Sequence, residues 1–356
     1  MIDTKALLKK YEPTKDVKVI PADPQIRGAR FSPCGQLLVG GSYEGRVRRW
    51  KFEDQAELPP LAGHHGWVDG VAFRAEGELL FTADSWGEIR CWSGYAADAP
   101  AVKWQLDAAH DGWIRELALS PDGKLLASCG SDKSVRIWSA EEGEKQHELA
   151  GYGQDILRTC WLPDGTLLTG DDRGIVKHWK LDGTLIRQFD ASVLYMVSRL
   201  QDVGGVHALA TDREGKLLAA AGTTPSGGGT VQGIPTILLF DVASGKELHK
   251  LSLGVQNDCY VHEVHFHDEG FLSAVTSGTP GQGQFLYVAP EEKTPFFNKK
   301  LPNCLCLSWH PDGSRVAVLT TNPGSNGNGR PLDKDGKYKT NQSPIQIFKI
   351  AGEPVT

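Results

Sequence analysis

Apolar and polar residues alternate along this chain in short runs, and the runs return in the same order seven times. The clearest copy is HDGWIRELALSPDGKLLASCGSDKSVRIWS, His110 to Ser139. One alternating run ends at Leu119, and a Pro121-Asp122-Gly123 turn leads to a second through Leu125 and Leu126. A tight turn at Ser131-Asp132 then leads to a third run closing on Trp138. Period-two alternation punctuated by Pro, Asp and Gly predicts strands joined by turns. The Leu119 position recurs as Phe31, Phe73, Trp161, Thr211, Phe266 and Trp309, at spacings of 42, 46, 42, 50, 55 and 43 residues. The Trp138 position recurs as Trp50, Trp92, Trp179, Phe240, Tyr287 and Phe348. Strand units repeating about every 40–45 residues predict the blades of a β-propeller. The expected fold is therefore all-β: a seven-bladed β-propeller of four-stranded antiparallel blades. The repeat overrides the length prior, which would split 356 residues into two or three domains.

Before the first full blade, Lys15 to Pro21 carries Val17, Val19 and Ile20 in a strand-like run. The last blade has only three strand signals, near Cys304–Trp309, Ser314–Leu319 and Pro344–Ile350. The early strand is expected to complete that blade and close the ring, leaving only short edges exposed. The chain thus divides into an N-terminal arm, 1–14, and the propeller, 15–356. Ala6-Leu7-Leu8 has helical character, but so short a helix is marginal alone and reads as a frayed terminus.

With strands a to d running outward from the axis, b–c and d–a connections share one face. From the end of strand a to the end of strand c there are 19, 19, 19, 18, 29, 21 and 39 residues in blades one to seven. The surplus falls in three b–c loops, Thr223–Ile234, Ser277–Gly283 and Thr320–Ser343, with a long d–a connection at Ala191–Gly205. All four lie on one half of one face, where long loops are usually functional or disordered.

Glycine is abundant, at 41 residues, as many tight turns require. A net charge of −6 argues against a nucleic-acid backbone or an anionic membrane as the main partner. The first ten residues hold no signal-peptide core and no stretch could span a bilayer. Seven scattered cysteines without C-x-x-C read as reduced, inert thiols, so a cytoplasmic location is expected.

From Val17 onward the chain resembles the WD40 propeller family, most completely in blades two and three; the phrase SPDGKLLA is similar to bacterial members. The resemblance implies a buried network of His, Ser or Thr, Asp and Trp, which blade three matches with His110, Ser128, Asp132 and Trp138. The imidazole would bond both the aspartate and the hydroxyl, and the hydroxyl would accept the indole N–H. Blade two keeps His64, Thr82 and Trp92 but has Trp86 at the aspartate position. Blade four keeps Thr169 and Trp179, with Tyr152 for His and Arg173 for Asp. Blade one has Trp50, with Glu44 at the Asp position and Gly40 for the hydroxyl residue.

His110, Ser128 and Asp132 also have the composition of a hydrolase triad, but the resemblance buries them without an oxyanion hole. No G-x-S-x-G, phosphate loop or H-E-x-x-H occurs. His262, His265 and His267 lack a third same-face ligand, so no metal and no cofactor is expected. His265 and Arg30 stand where other blades have small residues, and His265 should need a hydrogen-bond partner between strands.

One step into strand a, near the channel mouth, come Arg27, Asp69, Arg115, Leu157, His207, His262 and Leu305. Trp86 and Tyr152 should project near this face. The expected function is a monomeric, non-catalytic scaffold that docks a protein or peptide there. Its expected anchors are Arg27, Asp69, Trp86, Arg115, Tyr152, Arg173, His207 and His262. The alternative is a small-ligand or glycan site under the loops of blades five to seven; a propeller enzyme is a third, weaker reading.

Overall fold

The computed structural model describes residues 2–22, 25–198, 200–226, 232–278, 281–321 and 342–351. Seven antiparallel four-stranded sheets follow one another around a ring. In blade three the order is Ile114–Leu119, Leu125–Gly130, Val135–Ser139, Lys145–Leu149, each strand paired to the next. The two middle strands are buried, because neighbouring blades cover both their faces; in blade two all six residues of Leu79–Asp84 are inaccessible. Outer strands such as Lys145–Leu149 are mostly exposed.

The apolar core is distributed between blades. Seven buried clusters each join one blade to the next. Ala127, Cys129 and Ile137 of blade three meet Ile156, Trp161 and Trp179 of blade four in one of them. The strand-c aromatics thus pack toward the preceding blade: Trp92 joins blade one, and Trp138 joins blade two.

The ring closes as expected. Pro13–Ile20 pairs antiparallel with Ile345–Ile350 and is the outermost strand of blade seven. Ile20 and Ala22 then enter the cluster that joins blade seven to blade one.

Two expectations are corrected. Thr4–Tyr11 is not frayed but forms a helix, α1, capped by the Asp3 carboxylate, which accepts from the N–H groups of Lys5 and Ala6 at 3.1 Å each. Its apolar side buries Leu7 and Tyr11 on blades six and seven, and Lys10 pairs with Glu269 at 2.6 Å. Tertiary contact supplies what eight isolated residues lack. Two of the long connections also carry paired strand. Leu217–Ser226 and Gln232–Asp241 pair over ten residues, carrying Thr223 to Ser226 and Gln232 to Pro235 into a protruding hairpin. The d–a connection before blade five holds a second hairpin, Tyr195–Ser198 with Gln201–Gly204. Most of the blade-seven loop expected at Thr320–Ser343 lies outside the described residues. No described helix is long and apolar enough to cross a membrane.

Deleting residues 1–21 strips blade seven of its outer strand and removes Ile20 from the junction with blade one. The shortened protein should aggregate and melt at least several degrees lower; a monomeric elution profile with an unchanged melting temperature would contradict this closure.

Candidate functional site

The candidate site is the channel mouth on the face of the d–a and b–c turns, over blades one to three. Two consecutive d–a loops repeat the same construction. Trp67 and Trp113 each follow a glycine, and each backbone N–H donates to the serine after the next strand b: Trp67 to Ser85, Trp113 to Ser131, both at 2.9 Å. These serines fix the loops as they enter strand a. The two indoles meet edge to face at 5.6 Å, and Tyr43 from the b–c turn of blade one joins Trp67 at 5.3 Å.

Arg27 sits among these three rings, 5.1 Å from Tyr43, 5.9 Å from Trp67 and 4.9 Å from Trp113. It donates to Asp69 at 2.8 Å and to the Tyr43 hydroxyl at 3.1 Å. Arg115 stacks on Trp113 at 3.6 Å, has no ion pair among the described residues, and its Nε is buried without a partner. Trp86, 67 % exposed at its b–c turn, is stacked on His65 with centroids 6.0 Å apart. Aromatics and arginines gathered in this way have the composition of interface cores.

Below the mouth, strands a enclose a cavity of about 190 Å3 whose lining includes Arg27, Arg30, Asp69, Arg115, Glu116, Arg158, His262 and Glu263. Arg30 occupies its unusual position by pairing with Glu263 at 2.7 Å across to blade six. Glu263 also accepts the Leu307 N–H at 2.8 Å. Burial raises the carboxyl of Glu116, which accepts the Thr159 N–H at 2.6 Å. The cavity is smaller than the roughly 300–1,000 Å3 of common ligand pockets, and much of its charge is matched internally.

The eight anchors expected from sequence separate in space. Arg27, Asp69, Arg115 and His262 line the cavity. His207 stands 6.3 Å from His262 and packs on Tyr260. Trp86 is exposed at the rim. Arg173 binds the hairpin before blade five, 3.0 Å from Asp202 and 4.5 Å over Tyr195. Tyr152 turns inward: its ring packs on Trp179 at 5.3 Å and its hydroxyl meets Thr169 Oγ1 at 3.0 Å. It fills the place of the network histidine and offers the surface little. His265 is exposed rather than wedged between strands. Tyr43, Trp67 and Trp113 were missed; the signal that could have found the tryptophans is the Gly-Trp pair at the same place in two consecutive blades.

Within blade three, His110 lies 2.9 Å from Asp132 and 2.7 Å from Ser128, and the Trp138 indole donates to Ser128 at 2.8 Å. Asp132 also accepts from Ser134 and Arg136, which holds its carboxyl far below the usual range despite burial. Ser128 is inaccessible, so this constellation holds a turn and has no route to substrate. In blade two, the buried His64, Asp84 and Glu88 bring one nitrogen and two carboxylate oxygens within 4.8 Å of one another. Gly87 permits the neighbouring turn: its φ of 89° suits glycine, and a Cβ would strike the His110 carbonyl.

The WD40 family (WD domain, G-beta repeat) matches residues 15–51, 56–93, 104–139 and 143–180. Each matched unit runs from the outer strand of one blade through the three inner strands of the next, so units and blades are out of phase by one strand. The chain is 35% identical over 88 residues to the mRNA export factor of Danio rerio, covering 23% of this chain and 24% of that protein. It is 33% identical over 87 residues to Jouberin of Rattus norvegicus, covering 23% and 8%. It is 27% identical over 81 residues to the serine-threonine kinase receptor-associated protein of Gallus gallus, covering 23% and 23%. The alignments therefore span less than a quarter of these relatives.

Burial depresses the His207 imidazole to about 3, with His262 adding repulsion, and the His262 imidazole to about 4. Both lie below the unfolded value of about 6.5, so the unfolded chain binds more protons between these limits. Stability is then intact above about pH 6.5 and falls on acidification, by at most about 1.4 kcal/mol per pH unit for each group. Denaturant titrations between pH 7 and 5 should show this slope, and His207→Gln with His262→Gln should flatten it. Ser128→Ala orphans the indole of Trp138 and one nitrogen of His110, and should cost roughly 2–4 kcal/mol by the same titration. The chain thus carries four WD40 repeats within residues 15–180, set in a closed ring of seven blades.

Proposed function

We propose that the protein is a non-catalytic scaffold that docks a protein or peptide on the d–a and b–c face, centred on blades one to three. The observation that carries this reading is the contiguous cluster of Tyr43, Trp67 and Trp113 with Arg27 and Arg115, accompanied on the same face by exposed Trp86. Three of these aromatics are 36–67 % exposed. Burying amphipathic rings and an unpaired guanidinium is the usual source of hot-spot energy. Propellers of this family serve as protein-interaction scaffolds. Two relatives carry names, mRNA export factor and receptor-associated protein, that accord with such a role here.

The anchors are Arg27, Asp69, Trp86, Arg115 and His262, joined by Trp67 and Trp113. His207 and Arg173 support the rim beside blade five. The cavity's small volume and internal ion pairs speak against a glycan or other bulky ligand in the channel. The buried state of Ser128 speaks against hydrolysis. A monomeric, cytoplasmic protein accords with the net charge of −6 and with cysteines scattered over the chain without a C-x-x-C pair.

The test is affinity capture with the full chain against Trp67→Ala, Trp86→Ala and Arg115→Glu. Loss of the central anchors Trp67 or Arg115 should lower recovery of a bound partner about tenfold or more, with a smaller drop for rim Trp86. Substituting exposed Leu185 on an outer strand should change nothing. Undiminished recovery with all three variants would remove the proposed face.

A further inference from the structure

The blade-three histidine is held by Asp132, but blade two has Trp86 at that position. His64 keeps the inner half of the network: Nε2 lies 2.7 Å from Thr82 Oγ1, to which the Trp92 indole donates at 2.9 Å. Its other nitrogen is left over. Nδ1 faces Asp84 Oδ2 at 3.4 Å and Glu88 Oε2 at 3.7 Å, beyond normal hydrogen-bond length. The side chains of His64, Asp84 and Glu88 are 1 %, 0 % and 7 % exposed. Both His64 Nδ1 and Glu88 Oε2 are buried without a hydrogen-bond partner. Folded proteins rarely leave such atoms unmatched, and here two of them point at each other.

Their spacing suits a shared ligand. Donors about 2.0–2.1 Å from a tetrahedral zinc ion stand about 3.4 Å from one another. The His64–Asp84 separation already has that value, the His64–Glu88 separation needs a shift of only a few tenths of an ångström, and the two carboxylate oxygens lie within 4.8 Å of each other. The surroundings also orient the donors. Asp84 accepts the N–H groups of Gly66, Trp86 and Glu88 at 2.8–3.0 Å. The other Glu88 oxygen is held by His65 Nδ1 at 2.5 Å. Thr82 can accept from Nε2–H, the tautomer that frees Nδ1 for a metal. The nearest cation, Arg90, makes a long ion pair with this same Glu88 Oε2 at 3.7 Å, while its shorter bonds go to the Gly63 carbonyl and Gln105, each at 2.8 Å.

We propose that blade two holds a divalent metal ion, zinc by its donor set, bound by His64 Nδ1, Asp84 Oδ2 and Glu88 Oε2. One imidazole and two carboxylates without a thiolate suit zinc, with the fourth position left to water. The ion takes over the task of Asp132 in blade three, tying the d–a loop to the b–c turn. This site lies apart from His262, His265 and His267, and it differs from the expectation from sequence that no metal is bound. It does not depend on any partner at the channel mouth.

The experiment uses the full chain, stripped with a chelator, then titrated with zinc against a chromophoric competitor. One equivalent should bind, and zinc should raise the melting temperature. Glu88→Gln and Asp84→Asn should each weaken binding at least tenfold and abolish the thermal shift, whereas His147→Gln and His249→Gln, on exposed outer strands, should change neither. The absence of stoichiometric binding, or affinity unchanged in Glu88→Gln, would overturn the site. Should either cluster variant fail to fold, cobalt added to the stripped wild-type chain decides. Intense visible bands of tetrahedral or five-coordinate cobalt support the site, and the weak spectrum of an octahedral surface ion refutes it.

Discussion

A four-stranded blade has two apolar faces, and only a closed ring covers both on every blade. This constraint governs the rest of the structure. The middle strands are buried on both sides, as Leu79–Asp84 shows, so no blade can be removed without exposing two neighbours. The seven apolar clusters sit between blades, and the junction of blades seven and one needs Ile20 and Ala22 from the start of the ring. Stability is therefore cooperative around the circle, although each family repeat is read from a continuous stretch of sequence.

Within that ring, polar groups are satisfied blade by blade and by different means. Blade three uses His110, Ser128, Asp132 and Trp138. Blade four replaces the imidazole with the Tyr152 hydroxyl. Between blades one and two, Arg49 is wholly buried and donates to the carbonyls of Tyr95, Ala97, Pro59 and Asp98. Its two terminal nitrogens are occupied by main-chain oxygens, which compensates for much of the cost of that burial. Blade two instead places two buried carboxylates around an imidazole nitrogen that has no hydrogen-bond partner. These devices hold the turns still, so the mouth presents a rigid set of rings and charges. Rigidity matters there because ordering side chains on association costs affinity.

Composition alone misleads about several of these groups. Serine, histidine and aspartate stand at hydrogen-bond distances in blade three, yet the hydroxyl is sealed and already accepts an indole. Four arginines line the channel, yet Arg27 and Arg30 are paired with Asp69 and Glu263. What remains without an ion pair at the surface is aromatic, together with Arg115, and the functional reading rests on these groups and on Arg27, which the rings surround.

The order of strands and turns, the number of blades and closure by the early strand were legible because they follow from local signals: period-two alternation, Pro-Asp-Gly turns and a repeat near 42 residues. The network of blade three was legible from its resemblance. The helix Thr4–Tyr11 was not, since its stability comes from Leu7 and Tyr11 meeting blades six and seven, more than 250 residues away. Nor were the paired extensions of blade five, where strand pairing continues through Pro225, Gly233 and Pro235, residue types depleted in strands. Tyr43, Trp67 and Trp113 lie in successive units, and only the rotation from blade to blade gathers them around Arg27. His64 and Glu88 lie 24 residues apart, and the fold of one blade turns both into the same dry space. Sequence determined the ring, because alternation and turn chemistry act between near neighbours. The tertiary structure decided the site, because its residues converge only once the blades are stacked.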